Sequence, residues 1–200
     1  MKRITIILVL CLLTGGCAIG TTQIEVGHDP LEQIVQKRQG NIMVEPFVDG
    51  RKDKEFIGNK RNGFGMVLGH IGMQENVKLE DLLTKFFSEA LVEAGYNIQN
   101  VNVSPSNSAK IDLIVGGEIT EFQLDLYMAV WHDVTVKLKS FDPDTRKITW
   151  EKEVKGHEAN TLWIGATGEY ERVIRSSLTK ALNEAAKEFA GDEFNKLLKK

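Results

Sequence analysis

The sequence predicts an α+β fold, a mostly antiparallel four-stranded sheet with two amphipathic helices on one face, in the order β-α-β-β-β-α. Two observations predict it. Apolar residues recur at three-and-four spacing in two separated segments, and between them lie long stretches rich in β-branched residues, one of which alternates strictly. A helix with a single apolar stripe must bury that stripe. Two of them are buried most economically on one face of a sheet.

Taken in order, residues 41–47 (NIMVEPF) read as a first strand that ends near Pro46. Residues 48–76 combine glycine and charge without a period and read as a long loop. The first helix carries Leu79, Leu82, Leu83, Phe86, Phe87, Ala90, Leu91 and Ala94 on one face, and Gly95 stands where a left-handed stop is expected. A polar connection around Pro105 follows. Residues 111–124 form a long strand in which Gly116-Gly117 predicts a bulge or bend. In residues 130–141, Val134, Val136 and Leu138 point one way and Thr135, Lys137 and Lys139 the other. Asp142-Pro143-Asp144-Thr145 is turn chemistry, and residues 147–155 return as the partner strand, with Ile148, Trp150 and Val154 on one face. Lys152 on that same face marks a sheet edge. The last helix covers about residues 169–190, with Val173, Ile174, Ser177, Leu178, Ala181, Leu182, Ala185 and Phe189 inward and Gly191 as its stop.

The N-terminus bears on the compartment. Met1-Lys2-Arg3 is cationic, and residues 4–13 are apolar apart from Thr5 and Cys11, a run too short to span a bilayer as a helix. Gly15-Gly16-Cys17 then supplies small residues before a thiol. This layout resembles the lipobox of bacterial lipoproteins, although Thr14 stands where that motif usually has leucine and Leu13 lies one position earlier. The resemblance implies diacylglyceryl transfer to Cys17, cleavage before it, and acylation of the new amine by a chain such as palmitate. It divides the chain into a signal peptide (1–16), the lipidated Cys17 with a tether (17–40), and one globular domain (41–200). Cleavage would remove Cys11 and leave Cys17 as the sole cysteine of the mature chain, so no intramolecular disulfide is available to it. Cleavage also moves the formal charge from −3 to −5, which argues against a nucleic-acid binder. With Ala18 rather than aspartate after the cysteine, the lipoprotein sorting rule implies the outer membrane, facing the periplasm.

A wider resemblance rests on the lipobox, the short tether, the Val44-Glu45-Pro46-Phe47 strand, the glycine-rich loop and the helix ending Leu91-Val92-Glu93-Ala94-Gly95-Tyr96. This order is similar to the YajG-like bacterial lipoproteins and, more distantly, to auxiliary lipoproteins of envelope lipid transport. Neither resemblance implies an agreed catalytic activity.

Residues 58–72 (GNKRNGFGMVLGHIG) hold five glycines and raise the question of phosphate binding. Gly58 and Gly63 have the spacing of a P-loop, but Phe64-Gly65 stands where lysine and a hydroxyl residue are required. The dinucleotide pattern fails at Leu68. No nucleotide or other cofactor is therefore expected. The glycines suit an irregular loop that either is structural, with Phe64, Met66, Val67, Leu68 and Ile71 tucked against the domain, or meets a partner through Lys60, Arg61, Phe64 and Met66. Its charged positions are expected to tolerate reversal at little cost in stability. Trp163, in the apolar Thr161-Leu162-Trp163-Ile164-Gly165 stretch, is a further candidate contact.

Other chemistry is thin. The four histidines are scattered, His132-Asp133 reads as a strand-edge polar pair, and Asp49, Asp53 and Glu55 read as a solvated loop. Ser104, Ser106 and Ser108 lack a nucleophile elbow, so no catalytic and no metal-binding residues are assigned. The expected protein is a non-enzymatic, lipid-anchored envelope protein that meets the membrane through its N-terminal lipid and binds another envelope component. An accessory role in lipid or lipopolysaccharide transport, and a periplasmic hydrolase, are the alternatives.

Overall fold

In the computed structural model, residues 20–100, 110–161 and 167–199 are described. The chain runs β1 (Thr22–Ile24), β2 (Asn41–Val44), β3 (Val48–Asp49), β4 (Gly58–Arg61), β5 (Val67–Met73), α1 (Leu79–Ala94), β6 (Asn97–Asn100), β7 (Leu113–Tyr127), β8 (Ala129–Phe141), β9 (Ile148–Thr161), α2 (Thr167–Ala190) and α3 (Asp192–Lys196), and ends in a 3₁₀ turn (Leu197–Lys199). The four-stranded, mostly antiparallel sheet predicted from the sequence is corrected to one mixed sheet of nine strands with three helices.

The reason for the correction lies along β7. Its β8 side carries the antiparallel meander β7-β8-β9 that the alternation predicts. Its other side is lined in succession by β2, β3 and β4, all parallel to it, with β6 beyond β2 and with β5 and then β1 beyond β4. These strands are two to seven residues long. The shortest carry no readable period and are strands because β7 offers them a row of free amides and carbonyls. The long loop expected at 48–76 thus contains three strands.

The helix-facing row of β7 is Leu113, Val115, Ile119, Phe122, Leu124 and Leu126. The step of three from Ile119 to Phe122 keeps the row in phase because Thr120 is an extra, bulged residue between the pairs Ile119↔Val136 and Glu121↔Thr135. The register is unbroken at Gly116-Gly117, where a bulge or bend is expected, and the irregularity falls at Thr120 instead; a Cβ on Gly117 would meet the Phe47 ring at 2.4 Å. Val134, Val136 and Leu138 of β8 and Trp150 and Val154 of β9 complete the layer beneath α2. Ile148 is 55% exposed, on the far side of a register shift at Ser140/Phe141. Among the described residues β9 pairs only with β8, and its helix-side Lys152 forms an ion pair with Glu188 of α2.

Both long helices bury the stripes that their spacing predicts, except that Leu82 of α1 is half-buried against the core. Gly95 caps α1 at φ 105°, its amide bonded to Leu91 O and Val92 O. The segment expected as a tether is instead a strap across α1 and α2. Its backbone amides are taken up by helix side chains: Glu25 N by Glu171, Asp29 N by Thr179, Glu32 N by Asn183 and Ile34 N by Glu93. Arg38 ends the strap, donating to Ala190 O and pairing with Asp192. A polar segment without a period ordinarily stays solvated, and here it is fixed because the helices present acceptors along its path. Among the described residues no helix is long and apolar enough to cross a membrane.

Candidate interaction surface

The glycine-rich stretch is a β-hairpin. Lys60 pairs with Gly69 and Arg61 with Val67 across β4 and β5, and residues 62–66 make the turn. Asn62 organises it: its amide donates to Met66 O, its carbonyl accepts from Gly65 N, and its side-chain oxygen accepts from Phe64 N at 2.9 Å and Met66 N at 3.0 Å. Gly65 sits at φ 81°, where a side chain would be strained. The chain passes into a second strand rather than a helix, and the turn amides of Phe64, Gly65 and Met66 are taken up by Asn62.

Arg61 donates through Nε to both Asp125 oxygens and through Nη1 to Gly65 O, and the Tyr127 hydroxyl donates to Gly63 O. These bonds tie the hairpin tip to the β7-β8 turn, where Met128 adopts φ 58°. Lys60 is buried at 7% exposure with its ammonium 3.0 Å from the Thr22 hydroxyl. Reversing its charge would put a carboxylate into a site built for a cation. The tolerance expected at this position is therefore corrected: its side chain belongs to the fold and Arg61 to the base of the turn. Phe64 and Met66 face outward, at 90% and 59% exposure. Cys17 and Trp163 lie outside the described residues; Thr161, which pairs with Ala129, ends β9 at this same edge of the sheet.

The remaining chemistry-bearing residues are not gathered into one place. Asp49 is clamped by Arg51 rather than solvated, and Asp133 pairs with His157 at 2.7 Å on the face away from the helices. His28 meets Glu89, and His70 stacks on Phe56. Ser104, Ser106 and Ser108 lie outside the described residues. Among those described, no three His, Cys, Asp or Glu side chains cluster as metal ligands would.

His132 was legible only as half of a polar pair, yet the strand alternation separates it from Asp133 and turns it under α2, fully buried. Its Nδ1 lies 2.5 Å from Ser177 Oγ, which itself donates to Ile174 O. The Ser177 hydroxyl proton is thereby committed, so Nδ1 carries the imidazole proton and Nε2 is a bare, unpartnered acceptor among the described residues. Burial, with the neighbouring His157 charge adding to it, pushes the His132 pKa down to about 3 from 6.5. The folded state then holds it neutral while the unfolded chain takes up a proton below pH 6.5. The stability this neutrality supplies is complete above pH 6.5 and is lost as pH falls toward 3, by up to about 1.4 kcal/mol per pH unit. His132→Asn keeps a donor toward Ser177 and cannot titrate. Urea unfolding at pH 6.0 and 4.5 should show a steeper loss in the wild type than in this variant; equal slopes would contradict a buried neutral imidazole.

No protein-family model matches the chain, and no curated protein sequence does. A solved structure shares its fold. Protein XCC0632 from Xanthomonas campestris, of the DUF330 family, is similar over 84% of this chain and 91% of its own, at 12% identity and a TM-score of 0.52. Lipoprotein GNA1162 from Neisseria meningitidis is 14% identical over 72% of this chain and 99% of its own, at a TM-score of 0.37. At such identities the first likeness is one of fold alone, and the second carries no argument.

Proposed function

We propose that the chain is a lipid-anchored protein of the bacterial envelope that binds rather than catalyses, held in the outer membrane and facing the periplasm. The observation that carries the reading is the ordered run of a cationic start, a ten-residue apolar segment and Gly15-Gly16-Cys17. The sequence pattern that resembles the YajG-like lipoproteins supports it. A binding role is favoured because, among the described residues, Asp49 with Arg51, Asp133 with His157 and His28 with Glu89 are engaged in separate pairs, whereas an acid-base or nucleophilic mechanism needs such groups converging on one reacting atom. The lipid-transport alternative needs an apolar groove. The cleft of about 510 Å³ between β3 and the start of α1 has a mixed wall, with Phe47, Val48, Met73, Val77 and Leu79 beside Asp49, Arg51, Lys54, Lys78 and Glu80, so it is not a purely apolar groove. The groove between the helices is occupied by the strap.

The anchoring reading predicts that Cys17→Ala abolishes incorporation of labelled fatty acid and leaves an unprocessed precursor of higher mass. Equal labelling of the two proteins would end the lipoprotein reading. The binding reading predicts that cross-linking in intact envelopes captures the wild-type protein with another envelope component; recovery of the protein uncross-linked to anything would contradict it.

A further inference from the structure

We infer that the β4-β5 hairpin tip and the β7-β8 turn together form a membrane-contacting edge, seated in the bilayer surface beside the Cys17 anchor. The inference rests on the lipoprotein reading and names the class of its partner, a lipid surface. Three observations converge on it.

Apolar exposure is concentrated at one end of the sheet. Phe64, Met66, Val67, Leu68, Tyr127 and Met128 are six of the eleven large apolar side chains that stand exposed among the described residues. The parallel pairing of Lys60 with Leu126, and the bond from Tyr127 to Gly63 O, place them on two adjoining turns rather than scattered. Exposed apolar side chains brought together in this way mark a contact surface.

The chain also emerges at that end. Gly20 lies against Gly69, whose Cβ position is 2.2 Å from Gly20 O, and His70 N donates to Gly20 O. Gly69 is two residues into β5 from the hairpin turn. Cys17 stands three positions before Gly20, a reach of no more than about 11 Å. Acyl chains on Cys17 would therefore enter the bilayer close beside Phe64 and Met128, and no longer tether is available to hold the domain away.

The shape and chemistry of the edge suit a fluid, amphipathic surface rather than a protein groove. A Cβ built on Gly63 or Gly65 meets nothing within 4 Å, so the turn projects. Phenylalanine, methionine and tyrosine are side chains that sit well at the boundary of hydrocarbon and headgroup. The cations at the base bring no free charge to the contact, because Arg61 is neutralised by Asp125 and Lys60 is engaged within the fold. The Asn62 and Arg61 bonds hold the turn in shape beforehand, so little ordering remains to be done on contact.

The test uses the full lipidated protein in phospholipid vesicles. The mature chain has no cysteine beyond the acylated Cys17, so Phe64→Cys, Met128→Cys and Val35→Cys each admit one environment-sensitive dye. Val35 lies on the strap and is 96% exposed. The expected result is a blue shift at positions 64 and 128 with strong quenching by lipid-bound nitroxide, and water-like emission at position 35. If labelled fatty acid is incorporated and the protein floats with vesicles, yet positions 64 and 128 report water, the membrane edge is overturned while the anchoring reading stands. If no fatty acid is incorporated, both fall. A blue shift in native envelopes that is absent from vesicles holding no other protein would assign the edge to a protein partner and overturn the lipid assignment.

Discussion

Gly156→Ala is expected to destabilise the domain by about 3 kcal/mol, at the upper end of what overpacking costs. The reason is a close approach of backbone to backbone. A Cβ on Gly156 would lie 1.9 Å from the carbonyl oxygen of Ser177 and 3.1 Å from Val134 Cγ1. The nearer obstacle is helix backbone, so relief requires α2 to rise from the sheet, and that lift would open the 2.5 Å contact between Ser177 Oγ and His132 beneath it. Glycine inside a strand is ordinarily a weakness, and alanine would be favoured there by roughly 0.5–1 kcal/mol. The predicted sign is therefore opposite to the local propensity. Valine should be worse than alanine, to the point of blocking folding. Urea denaturation followed by far-ultraviolet circular dichroism measures the effect. A Gly156→Ala protein as stable as the wild type would mean that α2 does not pack as closely as described.

The second large effect is expected at Arg51. Its guanidinium holds Asp49 through Nε and Nη2, at 3.0 and 2.9 Å, and its Nη1 donates to Phe56 O and Phe122 O. The two side chains retain only 7% and 9% of their exposure. Burial pulls the Asp49 carboxyl up, and the hydrogen bonds and charge of Arg51 outweigh it, holding the group below the ordinary carboxylate value. Arg51→Met removes the counterion and leaves a shielded carboxylate and two carbonyls without their donors. Breaking such a pair from one side costs about 3–5 kcal/mol. For a domain of this size that lowers Tm by about 10 °C or more. Combining Arg51→Met with Asp49→Leu should recover part of the loss, since the unpaired charge is gone. A double variant no better than the single one would locate the cost in the two carbonyls rather than in the ion pair.

The comparison of sequence with structure turns on range. Helix α1 was legible to its cap, because the apolar stripe and Gly95 act within a few residues of chain. The alternation of β8, the Asp142 turn with its side chain bonded to Thr145 N and Oγ1, and the edge position of β9 signalled by Lys152 are equally local. The strands β3 and β4 gave no signal, being two and four residues long and paired to β7 across gaps of about seventy residues. The clamp on Asp49 was hidden for the same reason, since Phe56 O and Phe122 O come to Arg51 only when β7 is in place. Phe64 and Met66 were legible as candidate contacts in a glycine-rich loop, but whether they face out was not, and Tyr127 and Met128, which complete the edge, come from a hairpin more than sixty residues away.

By itself, then, the sequence determined the short-range features: two amphipathic helices with their stops, a three-strand meander and its turn, and a thiol in a lipobox-like setting. Those follow from periodicity, capping and turn chemistry, which act over one or two turns of chain. Only the tertiary structure decided that a polar, aperiodic leader becomes a strap, that nine strands share one sheet, and that Lys60 faces inward while Phe64 faces out. Each of these depends on where β7 and the two helices present unpaired hydrogen-bonding groups. A backbone amide is satisfied by whatever acceptor lies within about 3 Å, however distant that acceptor is in sequence.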